Sequence, residues 1–116
     1  MRLKQEKLNE LLRQEISKII LTDVHDPRIG FVTVNRVETN SDLSIAKVYI
    51  TVMGKDTTVN RTVKVLNSAK DFIKVNVSKK IRIRFMPELT FLIDTKTEDT
   101  INFLHKMEEE KEKQGY

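Results

Sequence analysis

Leu8, Leu11, Leu12, Ile16, Ile19 and Ile20 recur at i, i+3 and i+4 spacing near the start of the chain, the pattern of a helix with one apolar face. The spacing predicts a helix from about residue 3 to 22, with Glu10, Arg13, Gln14 and Lys18 on its wet side. "DVHDPRIG" at 23–30 ends it, because Pro27 has no amide proton and Gly30 closes a loop. The period then falls to two. "FVTVNRVET" reads as a strand with Val32 and Val34 on one face, and Val37 out of that register predicts a bulge near Asn35. "NSD" at 40–42 is turn chemistry, and "LSIAKVYITV" is the returning strand. In it Ala46, Val48, Ile50 and Val52 share one face, and Ile45, Lys47, Tyr49 and Thr51 the other. The two strands make an antiparallel hairpin.

After Gly54 the helical period returns. Val59, Val63, Leu66, Ala69 or Lys70, Ile73 and Val77 mark a long helix, with room for a break, over about 58–79. "IRIRFMPELTFLI" then alternates, with Ile81, Ile83, Phe85, Leu89, Phe91 and Ile93 on the apolar side, and predicts a strand. Pro87 within it argues for a bulge or an edge position. Thr95 with Glu98 forms a capping box that opens a last helix with a thin apolar stripe of Ile101, Leu104 and Met107 or Glu108. A charged tail, 108–116, is expected to fray. The predicted order is α, β, β, α, β, α, with the fourth element open to division. A three-stranded sheet whose apolar face needs covering by helices makes a two-layer α+β sandwich. Residues 1–107 are expected to form one domain.

Composition changes this picture at one place. The 116 residues suffice for a single core, and with no Cys there is neither a disulfide framework nor a thiolate metal site. No stretch approaches a membrane span. The expectation is a soluble, cytoplasmic monomer. Net charge is +4, but unevenly spread. Residues 1–54 hold 8 basic and 7 acidic side chains, residues 55–84 hold 9 and 2, and residues 85–116 hold 4 and 8. The middle segment therefore carries the positive excess, which points to an anionic partner.

Arg61, Lys64, Lys70 and Lys74 decorate the long helix, and Lys79, Lys80, Arg82 and Arg84 continue into the predicted strand. Arg82 and Arg84 would share one side of that strand, opposite Ile81 and Ile83. Helix and strand start can then merge into a positive stripe suited to phosphates, Arg as a bidentate fork and Lys as a point charge. Arg28 and Lys47 would extend it. With Phe85 and Phe91 assigned to the apolar side, stacking platforms for bases are scarce, so backbone and shape contacts are expected. Catalytic chemistry is not legible. Asp23, His25 and Asp26 form the one cluster that suggests metal or acid–base work, and with no further ligand nearby they read as loop residues before a proline. No glycine-rich phosphate loop or glycine-flanked serine is present. Neither a metal nor a cofactor site is predicted, and the chain does not read as an enzyme.

The α, β, β, α, α, β order resembles a type II KH domain, although the GXXG clamp of RNA-binding KH domains is missing. "DPRIGFVTV", "NSDLSIAKVYITV", "LNSAKDFIK" and "RIRFMPELTFLID", in this order and spacing, closely resemble the ribosome-binding factor A family. That resemblance implies a KH-like fold with a helix kink, Ala-x-Gly, in place of the clamp. Here the kink falls on Ala69, Lys70 and Asp71, with Asp71 at the glycine position. It further implies binding to the immature small ribosomal subunit and its rRNA, support of precursor rRNA maturation, importance in the cold, release aided by a GTPase, and no catalytic site. The alternatives are a KH-type module acting on free RNA and a module whose basic face meets an acidic protein.

Overall fold

The computed structural model describes residues 2–24 and 26–96, with side chains from Lys4 onward. His25, the expected last helix beyond Lys96 and the tail at 108–116 lie outside the described residues. Helix α1 runs Arg2–Thr22, strand β1 Phe31–Thr39, β2 Ile45–Met53, helix α2 Asp56–Ser68, α3 Lys70–Ser78 and β3 Glu88–Ile93. This is the expected α, β, β, α, α, β order.

The sheet order is β1-β2-β3, with β1 antiparallel and β3 parallel to β2. Opposite residues on β1 and β2 pair as Val34 with Ile50 and Val37 with Val48, and the register shifts between Val34 and Arg36. That shift is the expected bulge. It turns Asn35 outward, where its Nδ2 donates to Thr51 Oγ1 (2.7 Å) and Asp94 Oδ2 (3.0 Å), and it returns Val37 to the core. The hairpin closes over Asn40–Ser44. Asn40 Oδ1 accepts the Ile45 amide at 2.9 Å and Asp42 Oδ1 accepts the Ser44 amide at 3.1 Å. Leu43 sits at φ 60, the left-handed region that a bulky side chain rarely adopts.

All three helices lie on the face made by Val34, Val37, Ala46, Val48, Ile50, Leu89 and Phe91. Leu12 and Ile16 of α1, Leu66 of α2 and Ile73 and Val77 of α3 complete the buried cluster. Each such side chain contributes about 1.5–3 kcal/mol on leaving water. Leu11, on the expected apolar face of α1, remains substantially exposed. Two polar ties fix the layers. Asn9 Oδ1 accepts from Thr39 Oγ1 at 2.7 Å, joining α1 to β1. Asn67 of α2 pairs both backbone groups of Phe91 on the edge strand, accepting from its N–H (2.9 Å) and donating to its carbonyl (3.1 Å).

The last strand is shorter than alternation predicts. It begins at Glu88, whose amide donates to Ser44 O at 2.9 Å. Residues 79–87 are irregular, because β2 offers ladder partners only from Ile45 onward. Ile81 and Pro87 are buried and Ile83 packs against the core, so the loop keeps the alternation without the ladder.

Candidate nucleic-acid interface

The expected long helix is two helices meeting at Ala69. Its φ of −92 and ψ of 7 leave helical values for that residue alone. The Ala69 amide still reaches Val65 O (3.0 Å), and Ile73 N reaches Ala69 O (3.0 Å). Asp71, at the position expected to hold glycine, lies in the first turn of α3. Among the described residues Leu43 is the one non-glycine at positive φ, so the break needs no left-handed residue. A carboxylate in a first helical turn also faces favourable backbone N–H dipoles. Asp71 therefore suits the start of α3, and the kink is made at Ala69.

Arg61 and Lys64 are exposed on α2, on the side away from buried Thr62, Val65 and Leu66. Lys79 and Lys80 follow α3, and Arg82 and Arg84 alternate with Ile81 and Ile83 in the irregular loop. All six are exposed and none has a carboxylate partner among the described residues. Their apolar neighbours anchor the backbone while the charged heads stay in water.

The other four candidates behave differently. Lys70 and Lys74 are half-buried, and Lys74 bonds to Glu88. That hydrogen bond, aided by the charges of Lys74 and Lys70, holds the Glu88 carboxyl below its ordinary pKa. Arg28 is gripped by Asp26 at 2.7 Å, which pushes the Asp26 carboxyl down to about 2. Arg28 flanks a groove of about 300 Å³ at the kink, walled by Val65, Ala69 and half-exposed Phe72. Lys47 stands on the opposite face of the sheet, directly across from Glu38. Of the expected ten, six cations are thus exposed without a carboxylate partner among the described residues, in two groups. Arg61 and Lys64 lie on α2, which packs at the Gly30 end of the sheet, and Lys79, Lys80, Arg82 and Arg84 in the loop that reaches the Leu43 end. Lys70 and Lys74 stand between them on α3, and Arg28 and Lys47 are held elsewhere.

Two features were not expected. Arg36 on the open sheet face lies over the Tyr49 ring (4.0 Å to its centroid) and bonds Asp94 (2.7 Å) and Glu38 (3.2 Å), a structural use of an arginine. Phe85, assigned to the apolar side by alternation, is 76% exposed, with the Arg84 guanidinium 5.5 Å from its ring centroid. Losing the ladder before Glu88 is what frees its side chain from the core. Asp23 and Asp26 are the described members of the Asp23, His25 and Asp26 cluster. No group of three or more His, Asp or Glu side chains that could hold a metal occurs among the described residues.

A model of the family described as ribosome-binding factor A matches residues 4–107. Ribosome-binding factor A of Staphylococcus epidermidis is 44% identical over 110 residues, covering 90% of this chain and 95% of the relative. The fold is similar to the crystal structure of ribosome-binding factor A from Thermus thermophilus. The TM-score is 0.69 at 24% identity, with 77% of this chain and 94% of that one covered. It is also similar to a Thermus thermophilus RbfA homology model fitted into a cryo-electron-microscopy map of a 30S–RbfA complex. There the TM-score is 0.64, again at 24% identity, with 76% and 92% covered. With a family match across most of its length and a relative of such identity, this chain belongs to the ribosome-binding factor A family.

Proposed function

We propose that this chain binds the immature small ribosomal subunit in the cytoplasm as a monomer, through rRNA phosphates, and promotes maturation of precursor small-subunit rRNA without catalysing a reaction. The observation that carries this reading is the set Arg61, Lys64, Lys79, Lys80, Arg82 and Arg84, six exposed cations with no carboxylate partner among the described residues, four of them in one loop. Family membership supports it, as does the placing of a Thermus relative in a 30S complex.

The mechanism is differential binding. A protein that holds an immature rRNA conformation more tightly than the mature one shifts the rRNA equilibrium by that difference in affinity. The same preference lowers its affinity as the subunit matures, with a GTPase assembly factor completing release. RNA folding traps deepen in the cold, so the contribution should matter most there.

Sedimentation of a lysate at low magnesium tests the reading. The chain should travel with free small subunits and leave them as salt rises, because phosphate contacts release counterions. The variant carrying Arg82→Glu and Arg84→Glu together should remain folded and stay at the top of the gradient. A folded double variant that still binds with wild-type affinity would refute the assignment of these cations.

A further inference from the structure

Leu8 of α1, Leu43 of the hairpin turn and Ile83 wall two adjoining grooves, of about 330 and 270 Å³, at one end of the fold. Phe85, Arg84 and Asp42 border the second. Three observations make this end unusual. A 76%-exposed phenylalanine is placed beside an apolar groove instead of inside the core. The turn carrying Leu43 holds it at φ 60, pinned by its own amide to Asn40 O (3.0 Å) and by the side-chain bonds of Asn40 and Asp42. Such strain persists only where the surroundings over-determine it, and it gathers at binding surfaces. Third, the groove continues directly from the loop bearing Lys79, Lys80, Arg82 and Arg84.

We infer that Phe85 is a stacking platform for one unpaired rRNA base, which enters the groove beside Leu43 and Ile83 while the neighbouring cations hold the flanking phosphates. This rests on the rRNA reading above and adds the chemical class of what the basic loop receives. The charge layout favours a base over a phosphate in the groove itself. Asp42 is held ionised by its hydrogen bonds from Ser44, which lower its pKa, so its carboxylate repels a phosphate but accepts N–H donors from a base edge. The flat ring supplies a face that every base can use, and the Arg84 guanidinium beside it is a second planar, stacking-competent group. Phosphates on either side then meet the exposed cations, the usual division of labour in single-strand binding.

The test uses the full chain and purified immature small subunits. Phe85→Ala should weaken subunit binding about tenfold or more, the ordinary loss for one base–aromatic stack, and leave the salt dependence of binding unchanged. Phe85→Trp should restore the affinity. With p-benzoylphenylalanine substituted at position 85, irradiation of the complex should give an adduct to rRNA that maps to an unpaired nucleotide. Unchanged affinity in Phe85→Ala would overturn the inference, and so would an adduct found only on ribosomal protein, which would make the groove a protein-docking site. Failure of the wild-type chain to bind subunits would instead refute the ribosomal reading itself.

Discussion

Asn67→Ala should be among the most damaging single changes to a side chain outside the apolar core. The Asn67 amide satisfies the N–H and C=O of Phe91 on the edge strand, and Phe91 is fully buried. Removing the amide deletes two hydrogen bonds and leaves two backbone groups without partners. Each such group costs about 1–3 kcal/mol when water cannot reach it well. Alanine recovers about 0.5 kcal/mol through its better helix propensity, so a net loss of about 3 kcal/mol is expected. In urea this is a midpoint drop of about 1–2 M at unchanged slope. In a thermal scan it exceeds about 10 °C for a domain of this size. Asn60→Ala supplies the control, since Asn60 is an exposed residue of the same helix and its replacement should be neutral or mildly stabilising. The Phe91 amide should also lose hydrogen-exchange protection. A loss below about 1 kcal/mol in Asn67→Ala would mean that solvent replaces the side chain at this edge, and the reasoning would fail.

Gly30→Ala should destabilise the fold by about 1–3 kcal/mol in the same urea assay. An added Cβ would lie 2.9 Å from Met53 O and 3.0 Å from Thr58 Cγ2, and the Gly30 amide is held by Thr62 Oγ1. The acid limb of stability has a definite sign. The Glu10 carboxyl is lowered from 4.5 to about 2 by Arg13, and Asp26 from 3.8 to about 2 by Arg28. Groups with depressed folded pKa values contribute stability above their unfolded values and lose it as pH falls through the folded ones. Both pairs are exposed, so the fall from about pH 4.5 to 2 should be shallow. Asp26→Asn combined with Glu10→Gln should flatten it further in a pH series of urea titrations.

The helices and the hairpin were legible because their periods differ and their apolar faces are dense. Even the bulge could be located, since Val37 has to regain the core face. The end of the last strand was legible and its beginning was not. Ile81, Ile83 and Phe85 alternate as a strand does, but alternation reports which side is buried and says nothing about ladder partners. β2 begins at Ile45 and pairs with β3 only from Glu88. That one shortfall moves Arg82, Arg84 and Phe85 from a strand to a loop and releases Phe85 from the core. Periodicity alone left only room for a helix break, and it was the family resemblance that put the kink on Ala69, Lys70 and Asp71. ψ at Ala69 departs from helical values with no glycine or proline to announce it. The basic segment was legible as a charge excess. Which of the candidate cations are paired depended on Glu88, for Lys74 of that segment, and on Asp26, for Arg28 outside it, carboxylates whose partners lie 14 and 2 residues away.

Of these carboxylates, Glu88 bears on how far the basic surface extends. An exposed ion pair is worth little in itself, about 0–1 kcal/mol, so Lys74 could be drawn away from Glu88 by a phosphate. The exchange would nevertheless leave the Glu88 carboxylate ionised beside the incoming phosphate, and repulsion would offset the gain. Glu88 therefore limits the surface at the β3 edge. With six engaged cations, the log–log salt slope of subunit binding should lie between about −4 and −5, from the single-strand and duplex coefficients. Glu88→Gln removes the competing charge and frees Lys74, with Lys70 next to it. Binding should tighten at low salt, and the slope should steepen by about 0.7–0.9, one further phosphate contact. Filter binding or sedimentation of purified small subunits over a salt series reads both quantities. A Glu88→Gln variant with wild-type affinity and slope would show that the RNA never approaches the β3 edge. The footprint would then be confined to α2 and the 79–84 loop, with Lys70 and Lys74 outside it.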